Sequence, residues 1–344
     1  MAVVMNSRGP IFLALSQLIK EIIWQFLSIK RTTSVVKRDI FLFASRRSGS
    51  TLLMQAFGSQ QGVRFIDQPF SIYTNSAYGI NHLPIFDGGQ LIDMNADERR
   101  EVFNYVEKIL KGDLIINGPW KFWEKGFSLF WDRSILKITD AKCIIGALLQ
   151  NFDADSIVLL RHPVSQALSV ERNNWSYTGK SFLRSEYYCK KFLSTKQLDF
   201  AREIYNSEGS LEKRVMDWCL ENIPLITYRN DNKGINLVFF EHLITDSNTV
   251  FNDLAANITI SNREAFVKLL TKPSRSTKLS STNETISKIK SNNKTFLIDN
   301  WLSKLNAEQF ISIQNILDVM NIKIYLADDP MPAEYCLNRN ELAI

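Results

Sequence analysis

The sequence predicts an α/β fold, a central and mostly parallel sheet flanked by helices. Two observations predict it. Four short runs, at 39–45, 135–139, 156–160 and 235–240, are near-continuously apolar, as strands covered on both faces are. Helical patterns separate them, the alternation that crossover connections between parallel strands require.

The elements follow in order. The run DIFLFAS at 39–45 leads through Arg46-Arg47-Ser48-Gly49-Ser50-Thr51 into a helical pattern over 52–59, so the chain reads strand, tight loop, helix. ILKIT at 135–139 is the second strand, and Thr139 or Asp140 is placed to cap a helix over 141–152. SIVLL at 156–160 is the third. It ends at Arg161-His162-Pro163, with Pro163 suited to the first position of the next helix. INLVFF at 235–240 is the fourth, followed by a helix over about 248–257. A stretch at about 171–222 is helical and rich in charge and aromatics (Tyr177, Phe182, Tyr187, Tyr188, Phe192). It reads as an insertion above the sheet, an acceptor wall or lid. The Ser-, Thr-, Asn- and Lys-rich segment 278–294 reads as a surface loop, and 296–320 returns to helix with Trp301, Leu305, Phe310, Ile313 and Leu317 as core contacts.

Composition narrows the class. At 344 residues, 45% hydrophobic and 22% charged, the chain is globular and long enough for a large core. The net charge of +5 is spread rather than clustered, which suits phosphate-bearing ligands and not a nucleic-acid surface. Cys143, Cys189, Cys219 and Cys336 lie far apart with no CxxC pair. Buried free thiols in a reducing, cytoplasmic setting are expected rather than a disulfide framework. No metal-ligand cluster stands out. The segment 11–29 is apolar at helical spacing, but Gln17, Lys20, Glu21 and Gln25 break it below the length of a spanning helix. A helix docked on the domain is the favoured reading and peripheral contact with a membrane surface the other. The chain thus divides into an N-terminal helical segment at 1–38 and one domain at 39–344.

The chemistry sits at two places. A strand that feeds a glycine loop and then a helix aims free amides and the helix dipole at one point, a ready anion site. Gly49 admits close backbone approach, Ser48, Ser50 and Thr51 carry hydroxyls, and Arg47 carries charge. Laid on the triphosphate-binding pattern G-x-x-x-x-G-K-[ST], Ala44 replaces the first glycine and Ser50 the lysine, which argues against an ATPase or GTPase. At the second place Arg161 closes a strand, on the rim where α/β sheets bind ligands, and Ser165 and Ser169 share a helix face beyond it. A guanidinium fork with a hydroxyl beside it suits a phosphate.

These residues resemble the sulfotransferases that use 3'-phosphoadenosine-5'-phosphosulfate (PAPS), in the style of their carbohydrate-type members. Arg47-Ser48-Gly49-Ser50-Thr51-Leu52-Leu53 is similar to the family's first motif, which binds the 5'-phosphosulfate. IVLLRHPVSQALS at 157–169 is similar to its second, with His162 where Asp is usual. Weaker similarity covers VFFEHL at 238–243 and KPSRS at 272–276. The resemblance implies a P-loop NTPase-like sulfotransferase fold, PAPS as co-substrate with adenosine 3',5'-bisphosphate as product, and no metal. It implies a hydroxylated acceptor, small molecule, glycan or glycolipid. It assigns cofactor contacts to Arg47, Ser48, Gly49, Ser50 and Thr51, and the 3'-phosphate to Arg161 and Ser169.

The catalytic base departs from the family's patterns. Thr139 stands where many members have a histidine, two residues beyond the strand lysine Lys137, and Gln68 directly precedes Pro69 where others have a glutamate. Asp67 is the first candidate for the base, Asp140 the second and His82 the third, with Lys137 placed to contact the sulfuryl or leaving oxygen. A nucleotide kinase or NTPase with Glu241 as its magnesium carboxylate, and a homologue that binds the nucleotide without catalysis, are the alternatives.

Overall fold

The computed structural model describes residues 30–31, 37–71, 93–114, 130–206, 209–232, 234–272, 287–288 and 295–333. The segment 11–29, His82, Cys336, 273–276 and nearly all of 278–294 lie outside the described residues.

Five parallel strands make the central sheet: β2 (Asp39–Ala44), β3 (Val63–Asp67), β5 (Arg133–Ile138), β6 (Ala154–Leu160) and β7 (Asn236–Phe239), in the spatial order β3-β5-β2-β6-β7. A two-residue parallel pair, β1 (Lys30–Arg31) with β4 (Phe130–Trp131), lies apart from it. The fold is α/β, as the apolar runs predict. Alternation along β2 shows why its run is continuous. Phe41 and Phe43 enter one hydrophobic cluster, while Ile40, Leu42 and Ala44 enter the other on the opposite face.

Helix α1 (Ser50–Phe57) and α11 (Arg263–Leu270) contribute to the second cluster. To the first belong α2 (Ala96–Lys111), α3 (Ile145–Asn151), α8 (Ser210–Asp231) and α13 (Ala307–Val319). Between these in chain order come α4 (Pro163–Glu171), α5 (Gly179–Arg184), α6 (Glu186–Phe192), α7 (Thr195–Asn206), α9 (Phe240–Thr245) and α10 (Ser247–Ala255). Among the described residues no helix is long and apolar enough to cross a membrane.

Five local readings are corrected. Val63–Asp67 is a strand not foreseen, because Arg64 and Asp67 break its apolar pattern; the Arg64 guanidinium instead lies 3.8 Å from the Trp131 ring centroid. The helix expected over 141–152 begins as a 3₁₀ turn at Lys142–Ile144. Neither Thr139 nor Asp140 caps it, since Asp140 is taken by Arg46. The helix expected over 296–320 is broken at Trp301, with α12 (Phe296–Asp299) and α13 as its main parts. Phe182 and Tyr188 are fully buried, so these two serve as core rather than as an acceptor wall. The Tyr188 hydroxyl donates to the Leu220 carbonyl at 2.6 Å, while Tyr187 is half exposed. The helical stretch runs on past 222 to Asp231.

The order of the strands fixes where a ligand can sit. From β2 the chain crosses to β3 on one side; from β6 it crosses to β7 on the other. The carboxyl ends of β2 and β6 therefore flank the switch point of the sheet, the place where open α/β sheets form a crevice. Ser45 and Arg161 directly follow those two strands. A cavity of about 960 Å³ opens at the opposite, amino end of the strands, lined by Arg38, Asp153, Ala154, Gly234 and Asn236 among others. It is remote from the motifs.

Candidate functional site

The loop after β2 is shaped by its own hydrogen bonds. The Ser48 hydroxyl donates to the Ser45 carbonyl at 2.7 Å and its amide to the same oxygen at 3.3 Å, which folds the chain back. Arg47 has φ 67 and Gly49 φ 92, two left-handed positions either side of Ser48. At Gly49 a side chain is excluded twice over. The backbone angle disfavours it, and an added Cβ would lie 2.3 Å from Cδ2 of Phe240. The Gly49 carbonyl accepts from the amides of Leu52 and Leu53 as α1 starts, whereas those of Gly49, Ser50 and Thr51 donate to no backbone carbonyl among the described residues. Three amides at a helix start, uncapped by any side chain, leave a positive end. Ser48 differs from expectation in one respect: it is fully buried and its hydroxyl is spent inside the loop.

Arg161 reaches the loop from β6. It donates Nη1–H to the Arg47 carbonyl at 3.0 Å and Nη2–H to Ser165 Oγ at 2.7 Å. Its guanidinium carbon lies 4.4 Å from the Phe240 ring centroid. Nε of Arg161 is buried with no hydrogen-bond partner among the described residues. Burial lowers its pKa to about 10, with Glu241 opposing and the charges of Arg47 and Arg172 adding to the fall. Ser169, one turn beyond Ser165, accepts from Arg47 Nε at 3.0 Å. The expected pair Arg161 and Ser169 thus comes to one place through Arg47 rather than by touching each other.

The third part lies on the far side of β2. Asp67 and Lys137 are cross-strand neighbours at the ends of β3 and β5, and register alone makes them an ion pair. Lys137 is buried and also donates to Thr51 Oγ1 at 3.2 Å, so the pair is tied to the start of α1. Asp140 is held by Arg46 at 2.7 Å and by the Thr139 hydroxyl at 2.8 Å. Arg46 also lies 5.7 Å from the ring centroid of Trp175, which is 36% exposed.

Glu241 is buried. Its carboxylate accepts from the His162 amide at 2.8 Å and the Tyr325 hydroxyl at 2.9 Å, and burial raises its pKa. His162 is a structural residue. Nδ1 accepts from the Val164 amide at 3.3 Å, Nε2 lies 2.9 Å from the Leu326 carbonyl, and the ring stacks on Trp301 at 4.3 Å. These contacts fix the neutral tautomer with its proton on Nε2.

Several residues that shape the site carry no local signal in the sequence. Lys142 donates to Ser45 Oγ at 2.8 Å and pairs with Glu221 at 2.6 Å. Asn222 accepts from Ser45 Oγ at 3.1 Å, and Trp218 Nε1 donates to the Arg161 carbonyl at 2.9 Å. Only the fold brings these residues to the loop.

No protein-family model and no curated protein matches this sequence. Several sulfotransferase structures are similar in fold. One is the sulfotransferase domain from the curacin biosynthetic pathway (16% identity, 84% of this chain and 99% of that one, TM-score 0.42). A second is the sulfotransferase domain from the Synechococcus PCC 7002 olefin synthase (16% identity, 86% and 98%, TM-score 0.42). A third is mouse sulfotransferase SULT7A1 complexed with PAP (13% identity, 93% and 93%, TM-score 0.41). Likeness at this level carries no residue-by-residue equivalence.

Proposed function

We propose that this chain is a sulfotransferase that moves the sulfuryl group of PAPS to a hydroxyl, on a carbohydrate or glycolipid acceptor, and works in the cytoplasm. One observation carries the reading. At the switch point between β2 and β6, the Gly49 loop, whose three amides donate to no carbonyl among the described residues, meets Arg161, whose Nε is buried and has no partner among them. A buried guanidinium donor left unpaired is costly unless an anion completes it. Two anion anchors, one on each strand end, suit a nucleotide charged at both ends.

In this reading the Gly49–Thr51 amides and Arg47 hold the 5'-phosphosulfate, and Arg161 with Ser169 holds the 3'-phosphate. The acceptor oxygen bonds to sulfur as the bond from sulfur to the 5'-phosphate oxygen breaks. That oxygen leaves with the electron pair, and the acceptor proton passes to the Asp67 carboxylate. Lys137 donates to the oxygen on which charge develops. The carbohydrate assignment draws on the RSGS form of the loop and on Trp175 and Tyr177, each 36% exposed beside Arg46 and Arg214. The compartment draws on the free thiols of Cys143, Cys189 and Cys219.

Calorimetry tests the nucleotide and a radiolabelled PAPS assay the reaction. Binding of adenosine 3',5'-bisphosphate without magnesium, together with label transfer to a glycan or glycolipid fraction, is expected. Tight binding of magnesium–ATP with no affinity for the bisphosphate would reject the reading in favour of a kinase. Bisphosphate binding with no transfer to any acceptor would leave a nucleotide-binding homologue.

A further inference from the structure

We infer that one face of α8, formed by Trp218, Glu221 and Asn222 with Lys142 against it, is a strut that sets the distance between the two anion anchors, so that Glu221 and Lys142 are positioning residues for a nucleotide they never touch. The inference rests on the function proposed above for what the anchors bind, but not for how they are held.

Residues 218, 221 and 222 lie at i, i+3 and i+4 and share a face of the helix. From that face two contacts run to the two halves of the site. Trp218 Nε1 donates to the carbonyl of Arg161 at 2.9 Å, fixing the end of β6. Asn222 Oδ1 accepts from Ser45 Oγ at 3.1 Å, fixing the end of β2. Asn222 also donates Nδ2–H to the Trp218 carbonyl at 2.8 Å, so the contact to each anchor is tied to the other. Ser45 is the hinge of the loop, because its carbonyl takes both the amide and the hydroxyl of Ser48.

Lys142 completes the arrangement. Its side chain has no solvent exposure, and it directs protons to Ser45 Oγ at 2.8 Å and to Glu221 at 2.6 Å. The other Glu221 oxygen takes the Thr178 hydroxyl at 2.7 Å. A buried ion pair contributes little net stability compared with apolar residues of the same volume. What it supplies is direction. The Ser45 hydroxyl accepts from Lys142 and donates to Asn222, so its position is set, and with it the start of the loop.

The test compares K142M/E221M, S45A and S45T with the wild type. Three quantities are read: melting temperature, calorimetric affinity for adenosine 3',5'-bisphosphate, and hydrogen exchange of the Ser48, Leu52 and Leu53 amides in the unliganded protein. The double variant removes both charges and is expected to fold, to bind the bisphosphate about 10- to 100-fold more weakly, and to exchange those amides faster. S45A repeats the loss without disturbing the ion pair's volume, and S45T, which keeps the hydroxyl, restores it. Wild-type affinity and wild-type exchange in folded K142M/E221M or in S45A would overturn the inference. If the double variant does not fold, the Ser45 pair decides. Should the wild type bind no bisphosphate, the functional reading falls, while the exchange rates still decide whether the strut holds the loop.

Discussion

Arg161 donates to the backbone carbonyl of Arg47 at 3.0 Å, so two like charges are held together by the main chain of one of them. Burial lowers the pKa of each, and the charge of Arg172 pushes both the same way. An anion between them relieves that strain. The fork matters here as well as the charge, because Nη1 and Nη2 of Arg161 serve Arg47, Ser165 and Leu297 while Nε has no partner among the described residues.

Arg161→Lys is therefore expected to lose about 10- to 100-fold in affinity for adenosine 3',5'-bisphosphate even though the charge is kept. Titration calorimetry reads the loss directly. Lysine binding as tightly as arginine would mean that the group acts as a point charge and that the unpaired Nε has no role.

Gly49→Ala meets two separable obstacles. The left-handed backbone costs a non-glycine residue about 1–2 kcal/mol, and the new methyl meets the Phe240 ring. Pairing it with Phe240→Ala removes the second obstacle only. Thermal melts are expected to show a double variant less destabilised than the sum of the two singles, with bisphosphate binding still impaired because Arg161 loses the ring it lies against. Simple additivity would deny the contact between loop and ring.

Asp67→Asn separates binding from chemistry. The proposed function puts the cofactor contacts on the loop and on Arg161, so bisphosphate affinity is expected to stay within a few-fold of wild type. The turnover number should fall by about 10²–10⁴, the range of a lost general base. If affinity falls as far as turnover, the carboxylate serves chiefly to hold Lys137 against Thr51.

What the sequence reveals follows what is local. Strand ends, the glycine loop and Arg161 are legible because each declares itself within a few residues: an apolar run, a positive-φ glycine, an arginine before proline. The fifth strand was not legible, since Arg64 and Asp67 make sense only against Trp131 and Lys137 on other elements. Nor was the Lys142–Glu221 pair, whose members lie 79 residues apart and look like two ordinary charged positions until α8 crosses the loop. The aromatic stretch misled because composition cannot tell a buried Tyr188 from a half-exposed Tyr187 one residue earlier.

Two buried groups give the fold a pH signature that a single variant of each exposes. Burial raises the Asp217 carboxyl to about 6, against the hydrogen bonds it takes from Tyr205, Gly179 and Thr178. Burial lowers His162 to about 3, and Arg161 pushes the same way. For Asp217 the folded protein holds the proton more tightly than the unfolded chain. Its contribution is full below about pH 4 and is lost as pH rises through about 6, roughly 3 kcal/mol in all. For His162 the unfolded chain binds the proton first. Its contribution is full above about pH 6.5 and is lost on acidification by about 1.4 kcal/mol per pH unit. Between pH 4 and 6 the two slopes oppose each other, so the wild type hides both. Urea unfolding of wild type and Asp217→Asn across pH 4–7 is expected to show the wild type's stability relative to the variant falling as pH rises. Against His162→Gln the same comparison should show it rising. A difference that stays constant with pH in either pair would mean that burial does not move that side chain's pKa.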